Sequence, residues 1–371
     1  ELNYFKELNR VNSNQPVEAY NSIKKLFVSG DYFESTISFD EILLDRNVNT
    51  INDNFELIGE KAFYKQEILE LVNNVQIEIK SLNKSNNSEN SVVGIFPGAI
   101  YDTKLGLLKA TGAYQMYYKD LTISADELLY DEKSDIITSK GNVSIAGENL
   151  YGTFSEAKFD VKEDKIYFVG PINATYNNLS YTGEIGIYDN IKETFEVSGN
   201  ATVTSDINVL NAGKLFYTKK TGIVEVFGEK GQFTYFGGNR ELVGKYAKFY
   251  VDKNLVEVPG TFSFKYESNA GENVEGTGEA LKLNTTTQSG DANKPVLTQG
   301  KNRIESQKGV IDFTKGVHKL KGKVLGTYGD YKITSEEVDY IEKTEIISIK
   351  VPYTVNSKTS NLKIWGNNID F

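Results

Sequence analysis

The 371-residue chain has no cysteine, one histidine, one methionine, one tryptophan and only six prolines. Without cysteine there is neither a disulfide framework nor a thiolate metal site. The single histidine, His318, does not suffice for a set of histidine metal ligands, and we expect it to be a surface residue of a hairpin. No EF-hand loop, phosphate loop or dinucleotide fingerprint is present. We therefore expect no cofactor and no enzymatic activity.

Basic charge and long apolar runs are also scarce. Lys and Arg number 41 against 51 Asp and Glu, which gives a net charge of −10. No basic stripe offsets phosphate charge, so a nucleic-acid partner is not expected. No run of 18 apolar residues occurs, so the sequence predicts no membrane-spanning helix. The chain begins at Glu1 rather than Met, which is compatible with a signal peptide or anchor ahead of it.

What the sequence does contain is a repeat. An aromatic residue followed by a polar one recurs every 29 residues, and each aromatic is followed eleven residues later by a glycine. The aromatics are Tyr101, Tyr130, Phe159, Tyr188 and Tyr217, and the glycines are Gly112, Gly141, Gly170, Gly199 and Gly228. A fixed period of this size indicates a stack of one structural unit. The abundance of glycine, tyrosine and phenylalanine, 32, 23 and 20 residues, is typical of β proteins with many turns.

Superposing the units shows alternating columns. The column that contains Leu108 and Ile137 is apolar, the next column is mostly polar, and the one after is again mostly apolar. Period-two alternation predicts β-strands with one buried face and one face in water. The glycine within each run predicts a bulge where the strand bends from one sheet towards another. Asn74 takes the place of this glycine in an earlier unit that begins at Phe63.

A second strand in each unit ends at the aromatic, as in 121–131, 150–160 and 179–189. Tight charged turns follow these strands. The recurring acids of the turns are Asp102, Asp131, Asp160 and Asp189. Turn chemistry accounts for them better than catalysis does, because Asp side chains accept hydrogen bonds from nearby backbone N–H groups.

The beginning of the chain departs from the repeat. Residues 1–31 are interpreted as a lead-in, either a short helix or an irregular segment, because Tyr4, Phe5, Leu8 and Val11 lie near helical spacing.

Residues 32–371 are predicted to form one continuous repeat array. Polar loops are expected at 82–91, which we interpret as an enlarged turn, and at 285–300. Residues 361–371 look like the first half of a further unit. This indicates either that the natural chain continues or that another protein, or a second copy, pairs with this end.

Two architectures fit a two-strand unit with a central bend. One is a β-solenoid with a filled core, and the other is an antiparallel folded sheet that leaves a trough. The tight hairpin turns favour antiparallel neighbours. We predict an all-β fold, an elongated and twisted antiparallel β-jelly-roll built from repeats of 29 residues, with an apolar trough.

The repeat resembles a known family. Residues 123–131, ISADELLYD, followed by Gly141-Asn142-Val143, resemble the OstA-like repeat of the lipopolysaccharide-transport proteins LptA and LptC. The resemblance covers 100–260 well and 32–80 and 300–371 more loosely. It implies a periplasmic protein of a diderm bacterium that binds the acyl chains of lipid A and joins other Lpt-type proteins end to end. The chain is much longer than one such module. The resemblance therefore implies one of three proteins: an LptA-like protein, an LptC-like protein or a fusion of the two.

The apolar columns carry the functional hypothesis. Taken alone they fit a closed core, but large and small residues share one column, as Phe168 does with Ser139 and Ala110, which leaves room for a ligand. With the resemblance, they predict a lipid-binding trough lined by Leu108, Ile137, Ile145, Ile166, Phe168, Ile172, Phe195, Val197, Val203, Val224, Val226, Val256 and Val258. The alternatives are an adhesin-like structural stalk with a closed core and, less favoured, a carbohydrate-acting β-solenoid.

Overall fold

The computed structural model describes residues 2–82, 89–205, 208–268 and 271–371. The chain forms two compact units, Glu1–Glu193 and Thr194–Phe371. Antiparallel strands make up both units, and the described residues contain no α-helix, which confirms the predicted all-β class. Within these ranges no helix is long and apolar enough to cross a membrane.

The described residues of the first unit form fifteen strands and one short 3₁₀ turn, η1. Their bounds are β1 Leu2–Phe5, η1 Lys6–Leu8, β2 Arg10–Ser13, β3 Val17–Asn21, β4 Leu26–Gly30, β5 Tyr32–Thr36, β6 Glu41–Ile51, β7 Phe55–Lys65, β8 Ile68–Leu82, β9 Glu89–Asp102, β10 Leu107–Tyr118, β11 Leu121–Asp131, β12 Ile136–Ala146, β13 Leu150–Asp160, β14 Lys165–Tyr176 and β15 Leu179–Asp189.

The described residues of the second unit form β16 to β35 and three 3₁₀ turns. Their bounds are β16 Thr194–Ser205, β17 Asn208–Thr218, η2 Lys219–Thr221, β18 Ile223–Phe227, β19 Phe233–Gly237, β20 Arg240–Gly244, β21 Tyr246–Tyr250, η3 Val251–Lys253, β22 Leu255–Val258, β23 Phe262–Glu267, β24 Asn273–Gly278, β25 Ala280–Asn284, β26 Ser289–Asn293, β27 Val296–Gln299, β28 Asn302–Glu305, β29 Lys308–Asp312, β30 Val317–Tyr328, β31 Tyr331–Ile341, η4 Glu342–Thr344, β32 Ile346–Ile349, β33 Tyr353–Ser357, β34 Lys363–Gly366 and β35 Ile369–Asp370.

Each long strand of the first unit is bent near its middle. The register of β10 against β11 slips between Thr111 and Tyr114, and comparable slips recur in the strand pairs from β6 to β15. Gly112, Gly141 and Gly170 lie at these bulges with positive φ, and Asn74 does so at φ 51°. The bulges predicted at these three glycines are therefore confirmed, and the left-handed conformation that glycine adopts readily accommodates each bend.

The bulges divide the long strands of the first compact unit into halves that lie in two layers. The first layer contains the strand halves that end at the turns after β9, β11 and β13, and the second layer contains the other halves. The layers face each other, since Phe55 of the second layer lies 4.8 Å from Tyr101 of the first, ring centroid to centroid. Apolar side chains that point inward from both layers form the interior.

In the second unit the halves become separate strands. The first-layer half of β17 pairs with β18, and its second-layer half pairs with β19. Gly228, expected to mark another bulge, instead begins a loop that separates β18 from β19. The two ladders meet again at β30, which pairs with β29 through one half and with β28 through the other. The chain thus still passes from one layer to the other after β18, but through a loop rather than a bulge.

The recurring acids serve as turn residues, as the sequence predicted. Asp102 Oδ1 accepts hydrogen bonds from the backbone N–H groups of Lys104 and Leu105, at 3.0 and 2.8 Å. Asp131, Asp160 and Asp189 accept equivalent bonds from the residue two or three positions later. These bonds hold the tight hairpins that connect neighbouring strands.

The predicted helical lead-in is wrong. Tyr4 and Val11 are cross-strand partners in the β1–β2 hairpin, and a left-handed Asn9, φ 52°, closes the turn between them. Ala19 likewise pairs with Val28 in the β3–β4 hairpin. The apparent helical spacing arose because Tyr4, Leu8 and Val11 lie in β1, in the short turn and in β2, at intervals of four and three residues that resemble those of a helix.

The predicted loop at 285–300 is also wrong, since it contains β26 and β27. The inward positions of β26 are Gly290 and Ala292, so that strand carries no large apolar residue that would have revealed it. Of the loop expected at 82–91, residues 83–88 lie outside the described part of the chain, while β8 extends to Leu82 and β9 begins at Glu89. A single continuous array over 32–371 stays a prediction.

Candidate functional site

All thirteen residues proposed for the trough point into the interior. The most exposed, Val203, has 8% of its surface accessible, and the others have 2% or less. The set in the first unit lies on β10, β12 and β14, and the set in the second unit lies on β16, β18 and β22. The alternating columns therefore identified the inward face, whereas contact with a lipid stays a prediction.

The interior is closely packed where the sequence suggested free space. Ser139 is fully buried, and its Oγ accepts a hydrogen bond of 2.6 Å from the Tyr114 hydroxyl. Burial raises the pKa of Tyr114 to about 12, so the phenol stays protonated near neutral pH. Phe168 stacks on Phe154 at 4.1 Å between ring centroids. A ligand that enters here must displace side chains or separate the two layers.

Polar contacts join the free ends of the two layers in the first unit. We call the line of these contacts the seam. Tyr118, at the end of a second-layer strand half, donates a 2.7 Å hydrogen bond to Asp164 in a first-layer turn, and Lys119 forms an ion pair with the same carboxylate. Asn52 and Asn54 donate to one oxygen of Glu132 at 2.8 and 2.7 Å.

Burial is largely responsible for raising the pKa of the seam tyrosines. The pKa of Tyr118 lies well above its ordinary value, first because of burial and then because its hydroxyl hydrogen-bonds to Asp164. Tyr101 and Tyr130 show a raised pKa with the same first cause. Neutral phenols are donors, so these residues can satisfy buried carboxylates. Of the repeated aromatics, Tyr101 donates to Glu132 of the seam at 2.9 Å, whereas Tyr130 donates to Asp135 within its own turn at 3.0 Å.

The second unit has its own seam, with His318 at its centre. The sequence suggested a surface residue, but His318 is fully buried, so that expectation is wrong. Its Nε2 lies in hydrogen-bond contact with Glu342 and 3.2 Å from the Tyr266 hydroxyl, which also donates to Glu342. The backbone N–H of Asp312 donates to Nδ1 at 3.3 Å, which assigns the proton to Nε2. The hydrogen bond with the buried Glu342 carboxylate stabilises the His318 imidazole in the interior.

Further contacts extend this seam. Arg240 donates to the backbone carbonyl of Phe313 at 3.2 Å, and Asn302 donates to Glu345 at 2.6 Å. Sequence reasoning missed the seam entirely, because its partners lie far apart along the chain. The only usable signal was the presence of acids in turns next to tyrosines.

Lysines of the strands lie on the outer faces, where they pair across strands with acids. Examples are Lys109 with Glu127 at 3.2 Å and Lys214 with Glu196 at 2.6 Å. Lys248 and Glu225 form a similar pair at 3.2 Å. The pKa of Glu225 is lowered, first by a hydrogen bond from Tyr246 and then by Lys248. Among the described residues, no three His, Asp or Glu side chains are grouped as metal ligands would be. The candidate site is the apolar interior bounded by the seam.

Comparison with solved structures finds the crystal structure of LptH, the LptA-homologous periplasmic component of the lipopolysaccharide transport device of Pseudomonas aeruginosa. The identity is 12%, the match covers 33% of this chain and 94% of LptH, and the TM-score is 0.30. No family model and no curated protein sequence matches this chain.

Proposed function

We propose that this chain is a non-enzymatic carrier of lipopolysaccharide in the periplasm of a diderm bacterium. In this proposal the acyl chains of lipid A occupy the apolar interior, and the protein passes the lipid between the inner and outer membranes. The observation that carries the proposal is an interior lined by the repeated apolar columns and bounded on one side by hydrogen bonds and ion pairs rather than by strand pairing. The OstA-like repeat supports the same function.

Apolar contact is sufficient to overcome the acidic net charge. Each buried methylene gains about 0.8 kcal/mol, so a chain of about twelve gains roughly 10 kcal/mol before the costs of ordering. A pair of exposed charges changes binding by only about 1 kcal/mol at most. An anionic lipid can therefore bind a protein with a net charge of −10, provided that its acyl chains are buried.

Photocrosslinking tests the proposal. A photoreactive phenylalanine analogue replaces Phe168 or Phe195, and the matched controls carry it at Tyr167 or Glu196, the adjacent residues on the outward face. We expect lipopolysaccharide to label the two interior positions and to leave the controls unlabelled. Labelling confined to the controls would contradict a lipid-filled interior.

A structural stalk is the second candidate. The Tyr114–Ser139 hydrogen bond and the Phe154–Phe168 stack favour it, because they fill the interior without a ligand. A stalk predicts that neither interior position is labelled, while thermal stability remains unchanged by added lipid.

End-to-end association is part of the carrier proposal. The last ladders of the second unit end on β34 and β35, which pair with β33 and β32. Deleting 361–371 should weaken association with a second copy or with another Lpt-type protein, as measured by analytical ultracentrifugation. Unchanged association of the shortened chain would exclude this end as the contact.

A further inference from the structure

The first unit contains a cavity of about 510 Å³ at the N-terminal end of its seam. The β3–β4 hairpin covers it, and Leu44, Ala62 and Leu69 line it on the inner side. These three residues belong to the buried interior, with at most 4% exposure. The inner wall of the cavity is therefore formed by buried residues of the apolar interior, and its volume falls within the range of roughly 300–1,000 Å³ typical of small-molecule sites.

Apolar side chains also surround the mouth of the cavity. Ile23, at the tip of the hairpin, is 89% exposed, and Tyr20 and Phe39 are 64% and 56% exposed. The tip is ordered, since Asn21 Oδ1 accepts hydrogen bonds from the backbone N–H groups of Ile23 and Lys24 at 3.1 Å each. A large apolar side chain held in water by a formed turn is typical of a binding surface rather than of a core.

One cation lies at this mouth. Lys24 Nζ is 2.9 Å from the backbone oxygen of Thr103 and 3.3 Å from Glu67 Oε2. These contacts hold the hairpin tip of the second layer against two first-layer turns. Lys25 points elsewhere and pairs with Asp53 at 2.7 Å. The Lys24–Glu67 pair is partly exposed, and exposed pairs contribute little to stability, so an anionic ligand can replace Glu67 at low cost.

We propose that this cavity binds one acyl chain of an anionic amphiphile, with the tail against Leu44, Ala62 and Leu69 and the anionic head at Lys24. The site rests on the proposed carrier function, for which it is a point of lipid entry into the interior. Three observations carry it: the volume, the inner wall of buried interior residues, and Lys24 at a mouth that also carries the exposed Tyr20, Ile23 and Phe39.

Ala19 provides a clean way to fill the cavity. It lines the cavity from the exposed face of β3, so Ala19→Trp occupies the space without disturbing the buried interior. Glu18→Trp adds the same side chain at the adjacent exposed position, which is not part of the lining, and serves as the matched control. Ile23→Asp, at the exposed tip, is a second variant that places a charge at the mouth without filling it.

The experiment titrates the full chain with dodecanoate, below its micelle concentration, by isothermal titration calorimetry. Ala19→Trp and Ile23→Asp should each weaken binding at least about tenfold, and Glu18→Trp should leave it unchanged. Lys24→Ala should weaken dodecanoate binding about threefold while leaving the binding of neutral dodecyl maltoside unaffected, and Lys25→Ala should alter neither.

Equal dodecanoate affinity in the wild type, Ala19→Trp and Ile23→Asp overturns the site. Equal weakening of both ligands by Lys24→Ala overturns the role of that lysine. The carrier function is tested separately by labelling at Phe168: if labelling fails while Ala19→Trp still weakens dodecanoate binding about tenfold, the carrier proposal falls and the acyl site stands.

Discussion

Tyr118 and Asp164, which lie 46 positions apart in the sequence, share a buried hydrogen bond of 2.7 Å. The tyrosine ends the second-layer half of β10, and the aspartate lies in the first-layer turn between β13 and β14. No backbone pairing holds the two layers together at this point. The side closed by the seam is therefore where the layers can separate without breaking a strand ladder.

Removing the Tyr118 hydroxyl should loosen the seam. Tyr118→Phe is expected to lower the free energy of unfolding by about 1.5–3 kcal/mol, because the lost bond involves a charged acceptor. Tyr117→Phe, at a half-exposed neighbour, is the matched control and should change stability by less than about 0.5 kcal/mol. Urea unfolding measures both, and equal stabilities would show that the hydroxyl does not contribute.

The buried cluster around His318 should behave as a coupled unit. His318→Leu leaves the Glu342 carboxylate without one of its donors, and we expect a loss of about 3 kcal/mol or more. The double variant His318→Leu, Glu342→Leu should recover part of that loss, because no buried charge remains. A double-mutant cycle by chemical denaturation measures the coupling, and strict additivity would contradict direct contact.

Alkaline pH should destabilise the fold through its buried tyrosines. Burial raises the pKa of Tyr114 from 10.0 to about 12, so its contribution to stability is complete below pH 10 and is lost as the pH rises towards 12. Tyr114→Phe should reduce the dependence of unfolding free energy on pH in this window by up to about 1.4 kcal/mol per pH unit. Equilibrium unfolding at pH 10 to 12 measures the slope. An unchanged slope would place Tyr114 in contact with water.

The bulge glycines should resist substitution. Gly170 has φ 91°, and a Cβ at this position would lie 2.3 Å from Ser155 Oγ. Gly170→Ala is expected to lower stability by about 1–3 kcal/mol through backbone strain, with the contact adding to it. Gly231, φ 85°, has open space around it, so Gly231→Ala isolates the strain. Thermal unfolding compares the two, and an equal loss would show that the backbone around Ser155 shifts at little cost, since the Ser155 Cβ would also lie 2.5 Å from the new methyl group.

The sequence predicted regular local structure well. The bounds expected for the second strand of three units match β11, β13 and β15 to the residue, because alternation and turn-forming aspartates both limit those strands. It failed where one of these signals was missing. Gly290 and Ala292 gave no apolar alternation to β26, and the turn at Asn9 brought Tyr4 and Val11 together from positions that resembled a helix.

Contacts between the layers could not be predicted from the sequence. The alternating columns gave the inward face of all thirteen proposed residues, since side-chain direction follows from strand periodicity. The hydrogen bond from Tyr114 to Ser139 depends on how two strands pack in space, and the burial of His318 depends on Glu342 and Tyr266. Neither the hydrogen bond nor the burial of His318 follows from the local sequence pattern. The free space in the interior was therefore overestimated, and His318 was wrongly predicted to lie at the surface.

The most direct measurement combines interior labelling with control of the seam. The cysteine-free chain is given Tyr118→Cys and Asp164→Cys, bridged by a short thiol crosslinker that a reductant cleaves, and the photoreactive analogue at Phe168. We predict that lipopolysaccharide labels position 168 in the cleaved protein and fails to label it in the bridged protein. Absence of labelling at position 168 in both states, together with labelling of the control variant that carries the analogue at Tyr167, would contradict a lipid path through the interior.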